Sequence, residues 1–107
     1  MTKITFYKKN KKIIGFEVSG HTNKDDYGKD LLCCQISTVA QLAIVGLNQI
    51  KDIHFFQEIS DGYLKVKVEE KFIENENVKF LFNTCLDSFK SIIIDEEKYA
   101  KLEVKNV

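Results

Sequence analysis

The segment from Leu31 to about Ile50 constrains the fold of this chain most, because it is apolar on nearly every side of a helix. A helix that is hydrophobic all round has to be covered by the rest of the protein. Asp30 stands just before it, where a carboxylate can accept amide hydrogen bonds of the first turn and complement the helix dipole. We therefore predict a buried helix with Asp30 as its N-cap.

Three small residues, Ala40, Ala43 and Gly46, follow one another at intervals of three along this predicted helix. Small side chains let a neighbouring strand or helix approach the helix backbone closely. We therefore expect these positions to serve packing.

Two predicted β-hairpins surround the helix in the sequence. Apolar and polar residues alternate on both sides of the charged cluster Lys8–Lys12. The segments 53–59 and 63–68 flank Ser60-Asp61-Gly62, and the second of these segments alternates in the same way. Alternation with a period of two indicates half-buried strands, and the intervening polar residues indicate turns. We expect the lysine cluster to be a solvated hairpin tip without a function.

A second helix is predicted from apolar residues at intervals of three and four: Val78, Leu81, Phe82, Cys85, Phe89, Ile92 and Ile93. This spacing is typical of an amphipathic helix that covers one face of a sheet. We expect Cys85 to be buried without a chemical role. With a short last strand through Ala100, Leu102 and Val104, the element order is ββαββαβ. The predicted fold class is α+β, with two helices packed on an antiparallel or mixed sheet.

Composition limits the classes of partner. The 107 residues, 44% of them hydrophobic, suit one compact domain over residues 1–107. The 16 basic and 16 acidic side chains cancel, so the chain has no overall field that attracts nucleic acid or anionic lipid. We therefore expect no direct nucleic-acid binding. We also expect no membrane association, because in addition no apolar run reaches the length that spans a bilayer.

The cysteines and the first residues of the chain indicate a reducing compartment. Three cysteines are an odd number, and the neighbours Cys33 and Cys34 are poorly placed for a mutual disulfide. The segment 1–9 lacks the apolar stretch and cleavage site of a signal peptide. We therefore expect free thiols and a cytoplasmic location.

A cysteine and a histidine are the candidates for chemistry. Cys33 occupies the third position of the predicted helix, where the positive end of the dipole favours a thiolate, and His21 lies twelve residues earlier. The intervening loop is bounded by Gly20 and Gly28, so we expect it to fold back and bring the imidazole to the thiol.

The positions of other groups near this pair indicate supporting roles. The adjacent amides of Cys33 and Cys34 could donate to a developing oxyanion. Ser37 lies one turn further along the same helix face, where it could bond the histidine, line the pocket or bond back to its own helix.

Two other interpretations of these residues stay open from spacing alone. His21, Asp30, Cys33 and Cys34 could bind a metal ion, although the usual paired spacing of a zinc site is missing. The cysteines could also simply fill the start of a buried helix. A histidine in this chain need not be functional either, since we expect His54 in the second hairpin to be structural or exposed. We expect no cofactor and no metal.

One stretch of the sequence closely resembles the ribosomal-processing cysteine protease family, called Prp. The stretch is Gly20-His21 followed by Tyr27-Gly28-Lys29-Asp30-Leu31-Leu32-Cys33, and then by Ser37. The resemblance implies a thiol protease with a catalytic dyad of His21 and Cys33, in which Asp30 and Ser37 match the aspartate and serine of the motif. The length and element order of the chain also agree with the family.

The resemblance also implies a substrate. Such a protease removes the N-terminal extension of the bacterial large-subunit ribosomal protein numbered twenty-seven during ribosome assembly, after paired aromatic residues, and acts as a homodimer. We therefore expect an apolar pocket near the dyad. The alternative function is a non-catalytic ribosome-assembly factor that binds the same precursor. A metal-binding regulator is the third possible function.

Two positions depart from the family, which commonly has alanine where this chain has Thr22 and Cys34. Side chains of adjacent helical residues point about 100° apart, so we expect Cys34 not to share the pocket of Cys33. The polar loop from Thr22 to Lys29 contains little to anchor it, and we expect it to be a mobile lid.

Overall fold

A computed structural model of the protein describes residues 1–26 and 30–107. The elements are strands β1 (Thr2–Lys9) and β2 (Lys12–Ser19), helix α1 (Leu31–Leu47), strands β3 (Phe55–Ser60) and β4 (Tyr63–Val68), a short 3₁₀ turn (Glu70–Phe72), helix α2 (Glu76–Ile92) and strand β5 (Ala100–Asn106). The strands form one five-stranded sheet in the order β3-β4-β2-β1-β5. Strand β5 pairs with β1 in parallel and the other pairs are antiparallel, so the predicted ββαββαβ order and α+β class are confirmed, with a mixed sheet.

The first hairpin closes through Asn10 and Lys11, whose φ angles are 52° and 67°. Two successive residues with positive φ match the right-handed twist of paired strands, which explains the tight connection. Ile4 lies opposite Val18 and Phe6 opposite Phe16 in this hairpin. All four side chains are buried, so the register places them together on the core face of the sheet.

Phenylalanines join this hairpin to α2. The rings of Phe6 and Phe16 stack with centroids 4.9 Å apart, and Phe82 and Phe89 of α2 meet the ring of Phe16 edge-on. Cys85 lies on the same face of α2 and is 1% exposed. Burial raises the pKa of Cys85 to about 11, so it remains a protonated thiol at neutral pH. Both the amphipathic helix and the burial of Cys85 are confirmed.

Helix α1 has one buried side rather than a buried surface all round. It starts at Leu31 with Asp30 as N-cap, as predicted, but ends at Leu47 and not near Ile50. Leu31, Leu42 and Val45 are 76%, 55% and 55% exposed, so the prediction of a helix covered on every side is wrong. The reason is that the sheet and α2 cover one side of α1.

The small residues of α1 allow close packing, as expected. Ala40 and Ala43 are buried, and a Cβ atom added at Gly46 would lie 2.7 Å from Cδ1 of Leu81 on α2. A side chain at position 46 would therefore require the side chain of Leu81 to move.

The second hairpin lies at one edge of the sheet. Its first strand begins at Phe55, two residues after the predicted start, and most of its side chains are exposed because β3 has a neighbour on one side only. Strand β4 lies inside the sheet and buries Leu64, Val66 and Val68. Strand β4 pairs with β2 so that Tyr63 lies opposite Ser19, which places the turn Asp61–Gly62 beside the end of β2. In the described part of the chain, no helix combines the length and apolarity needed to cross a membrane.

Candidate active site

A cavity of about 920 Å³ opens between α1 and the β3–β4 hairpin. Its apolar lining comes from both sides of the groove and from β2: Val18, Ala40, Ile44, Val45, Ile59 and Leu64. Its polar lining includes Gly20, His21, Asp30, Cys33, Cys34, Ser37 and Asp61. The structure therefore brings the sequence-predicted site residues to one cavity, except for Gly28, which lies outside the described residues.

Cys33 lies in the first turn of α1, half-buried at the cavity wall. The amide groups at the start of a helix and its dipole favour negative charge on a nearby sulfur. The position of the thiol is therefore suited to nucleophilic chemistry. Ser37 lies one turn further along α1 and also lines the cavity.

His21 is positioned by the end of β2 and by the second hairpin. Gly20 has a φ of +86°, and a Cβ atom at this position would lie 2.4 Å from the carbonyl oxygen of Met1, so glycine is required. The Gly20 amide donates a hydrogen bond of 2.8 Å to the carbonyl oxygen of Gly62. The imidazole of His21 is 42% exposed, and its Nε2 lies 3.9 Å from Oδ2 of Asp61. The charged neighbour of the ring is thus Asp61.

Asp30 joins the histidine segment to the helix that carries the cysteine. Its Oδ1 accepts the Cys33 amide at 3.0 Å, and its Oδ2 accepts the Lys24 amide at 2.9 Å together with the hydroxyl of Thr22. Thr22 is 2% exposed and follows His21 directly. The carboxylate therefore acts as the N-cap of α1 and as a clamp between the two halves of the site.

The hydrogen bonds of this clamp determine the charge state of Asp30. Burial alone raises the pKa of the carboxyl group, but the hydroxyl of Thr22 and the amides of Cys33 and Lys24 stabilise the charged form, and the net pKa is lowered. Asp30 is therefore a carboxylate with its acceptors occupied.

A family comparison bears directly on this arrangement. Residues 1–101 match the model of the family described as cysteine protease Prp. The chain belongs to the Prp family. It is therefore a cysteine protease, and the cavity that contains Cys33 is its candidate active site.

Solved structures share the fold of this Prp-family chain. An essential ribosomal processing protease Prp from S. aureus, in complex with a covalently linked product peptide, superposes with a TM-score of 0.89 at 18% identity, covering 98% of this chain and 100% of that one. The same protein in complex with a substrate peptide gives 0.83 at 17% identity, covering 98% and 100%. SMU.848 from Streptococcus mutans gives 0.82 at 21% identity, covering 100% and 96%. No curated protein sequence matches the chain.

The expected oxyanion donors are wrong. The Cys33 amide donates to the side chain of Asp30, and the Cys34 amide donates to the backbone carbonyl oxygen of Asp30 at 3.1 Å. Both donors are used within the helix cap, because an N-cap side chain takes the amide of the third helical residue and its carbonyl takes the next. At this end of the helix, the amides of Leu31 and Leu32 precede the first intrahelical bond.

The expectation that Cys34 avoids the cavity is also wrong. Cys34 is exposed and lines the same cavity as Cys33. The cavity is wide enough to follow α1 over several turns, and it contacts Gln41 and Val45, which lie on the same side of the helix as Cys34. Adjacent helical side chains point about 100° apart, but Cys33 and Cys34 nevertheless line different parts of the same groove.

The loop from Thr22 to Lys29 is only partly described. Thr22 and the Lys24 amide bind Asp30, and the Lys24 ammonium group pairs with Glu96 at 2.5 Å, so the expectation of few anchors is wrong for this half. Residues 27–29, which include Gly28, lie outside the described residues. The lid motion expected from the sequence stays a prediction.

Two contacts of the site are not among those that the sequence predicts. The hydroxyl of Thr22, next to His21, binds the N-cap carboxylate of Asp30, and the signal for this contact is that a hydroxyl and an N-cap carboxylate are natural hydrogen-bond partners. The sequence assigns Asp61 and Gly62 only to a turn, because their contact with His21 depends on the pairing of β4 with β2. Within the described residues, no group of three or more His, Cys, Asp and Glu side chains is placed to hold a metal ion. His54 is exposed, and this agrees with its predicted structural or surface position.

Proposed function

We propose that this protease removes the N-terminal extension from the precursor of the large-subunit ribosomal protein numbered twenty-seven, with His21 and Cys33 as its catalytic dyad. The observation that carries the proposal is the convergence of both side chains on one cavity at the start of α1. Further support comes from the family match over residues 1–101 and from the name of the S. aureus relative, a ribosomal processing protease.

The chemistry of the dyad follows from the placement of the two groups. His21 takes the proton of the Cys33 thiol, and the thiolate attacks the carbonyl carbon of the scissile peptide bond. The carbon–nitrogen bond then breaks as the imidazolium returns its proton to the leaving amine, which leaves a thioester on Cys33. Water, deprotonated by His21, hydrolyses the thioester to a carboxylate and restores the thiol. The amides of Leu31 and Leu32 are the oxyanion donors that this end of α1 offers.

The groove beside Cys33 offers an apolar surface for a substrate side chain. Ala40 and Ile44 from α1 face Ile59 and Leu64 from the second hairpin across the cavity. Apolar clefts of several hundred cubic ångströms are typical of ligand sites, and this one has room for an aromatic side chain. An extension that ends in aromatic residues, as the family resemblance implies, would place its last ring in this groove.

The broader setting of the enzyme belongs to the same proposal. Residues 1–107 act as one cysteine-protease domain in the cytoplasm, where a reducing environment keeps Cys33 free. The protein acts as a homodimer, and the exposed Leu42 of α1, which lies outside the cavity lining, is an apolar group that a second copy would cover. Its macromolecular substrate is the ribosomal protein precursor rather than nucleic acid.

Peptide cleavage by four proteins tests this function. The wild type, Cys33→Ala, His21→Ala and Cys34→Ala are each incubated with a peptide that copies the precursor extension, and the products are weighed by mass spectrometry. We expect cleavage by the wild type and by Cys34→Ala, and at least about a thousandfold loss in the other two, because nucleophile and base act as a unit.

Other outcomes would identify other functions. Cleavage that survives Cys33→Ala would overturn the dyad. Tight binding of the peptide by the wild type without any cleavage would favour the assembly-factor alternative. Stoichiometric zinc in the purified protein would favour a metal-binding regulator.

A further inference from the structure

We propose that Asp61 is the positioning residue of His21: its carboxylate accepts a hydrogen bond from Nε2–H and so leaves Nδ1 free to take the proton of Cys33. This inference rests on the proposed dyad and adds the group that orients its base. Asp61 comes from the turn of the second hairpin, far from the motif in sequence.

The first support is the contact itself. Oδ2 of Asp61 lies 3.9 Å from Nε2 of His21, and it belongs to a side chain that is 92% exposed. Within the described part of the chain, this is the one ion contact that either side chain makes. The carboxylate is therefore free to move about 1 Å closer and complete the hydrogen bond when substrate covers the site, a tightening that catalytic contacts commonly show.

The second support is the backbone that fixes both partners. A Cβ atom added at Gly62 would lie 2.8 Å from Nε2 and 3.2 Å from Cδ2 of His21, so the ring packs directly on the turn. The hydrogen bond from the Gly20 amide to the Gly62 carbonyl joins the two segments at 2.8 Å. Nε2 thus faces the turn because of the backbone arrangement.

The chemical consequence follows from the two nitrogens of imidazole. A neutral ring carries one N–H donor and one acceptor, and the partner of the donor fixes which nitrogen has the lone pair. With Nε2–H directed to Asp61, the lone pair is on Nδ1. The proton then moves from Sγ of Cys33 to Nδ1, while Nε2 keeps its proton and Asp61 keeps its negative charge. That charge stabilises the imidazolium.

The other titratable groups around the cavity do not replace Asp61. They are Asp25, Asp30, Cys33, Cys34 and Tyr63. Asp30 is engaged by the hydroxyl of Thr22 and by two amides, so its charge is already compensated locally. Among these groups, Asp61 is the carboxylate in ion contact with the ring.

Substitutions at Asp61 test the inference, with Glu58→Gln as the matched control. Glu58 is an exposed carboxylate on the same hairpin and lies outside the cavity lining. Asp61→Asn keeps an acceptor oxygen but removes the charge, Asp61→Ala removes both, and Asp61→Glu keeps both. Each is made in the full chain carrying Cys34→Ala, so that Cys33 is the accessible thiol.

Two readouts are measured across pH 5 to 10: kcat and KM for the extension peptide, and the rate at which iodoacetamide alkylates Cys33. For Asp61→Ala we expect kcat to fall about tenfold, because the base stays present but is less well oriented. KM should stay unchanged within about twofold. For Asp61→Asn we expect a smaller loss of kcat, and slower alkylation of Cys33 at the acid end of the range, because the imidazolium that accompanies the thiolate loses its negative neighbour. Asp61→Glu should restore both rates, and Glu58→Gln should match the parent.

The inference is overturned if Asp61→Ala and Asp61→Asn keep the kcat and both pH profiles of the parent. It is also overturned if they change KM alone, which would make Asp61 a substrate contact. Failure of the proposed function looks different, because cleavage would then survive His21→Ala or Cys33→Ala whatever Asp61 does.

Discussion

Two aspartates flank the candidate dyad, and they differ in the number of hydrogen-bond donors around them and in their exposure to solvent. Asp30 is surrounded by donors, with the Thr22 hydroxyl and the amides of Lys24 and Cys33 on its two oxygens. Asp61 is 92% exposed and has the imidazole of His21 as its neighbour at 3.9 Å. The comparison teaches that the number of hydrogen bonds a carboxylate already accepts, rather than its proximity to the site, decides whether it serves structure or chemistry. Asp30 organises the fold of the site, whereas Asp61 remains available to the chemistry.

The largest effect is expected for Asp30→Ala. The substitution removes the N-cap of α1 and releases the segment that carries His21, so we expect a loss of about 1 to 2 kcal/mol in the free energy of unfolding. Activity should fall at least about tenfold because His21 and Cys33 lose their common support. Urea unfolding and peptide cleavage measure the two effects, and Asp87→Ala on the exposed side of α2 is the control. A fully stable and active Asp30→Ala protein would show that the clamp is unnecessary.

The next effect concerns the hydroxyl of Thr22. Thr22→Val has nearly the same shape but cannot donate to Asp30, so we expect a loss of about 1 kcal/mol in the free energy of unfolding. Thr22→Ser keeps the donor and should recover about half of that loss. Thermal unfolding of both variants tests this, and equal stability of the valine and serine variants would contradict the role of the hydroxyl.

The lowered pKa of Asp30 predicts an acid limit to its stabilising effect. Because the folded-state pKa is below the ordinary value of 3.8, the contribution is fully present above that value and is lost as pH falls through the folded-state pKa. The difference in unfolding free energy between the wild type and Asp30→Asn should therefore be constant from pH 7 to 5 and shrink below pH 4. A difference that grows toward low pH would reverse the sign of the argument.

The smallest effect on stability is expected at Asp61. Asp61→Asn changes an exposed turn residue, so the free energy of unfolding should change by no more than about 0.5 kcal/mol. Circular dichroism during urea unfolding measures it. A loss as large as that of Asp30→Ala would mean that both aspartates are structural, and the contrast between them would disappear.

The sequence allowed the fold and half of this contrast to be predicted. Asp30 could be assigned as the N-cap because capping depends on neighbours in the chain. The same assignment commits the Cys33 amide to the cap, and this is the reason why the predicted oxyanion donor is wrong. The exposure of Leu42 and Val45 could not be predicted, because an apolar helix does not reveal how many of its sides the sheet covers. Asp61 could not be predicted either, since only the pairing of β4 with β2 brings its turn to His21.

The rate of Cys33 alkylation at pH 6 tests most directly whether the imidazole activates the thiol. Both proteins carry Cys34→Ala, one also carries His21→Ala, and iodoacetamide modification is followed by mass at pH 6, where an ordinary thiol is almost fully protonated. We predict that Cys33 reacts at least about tenfold faster when His21 is present, since the histidine holds the proton and leaves a thiolate. Equal rates in the two proteins would contradict the account.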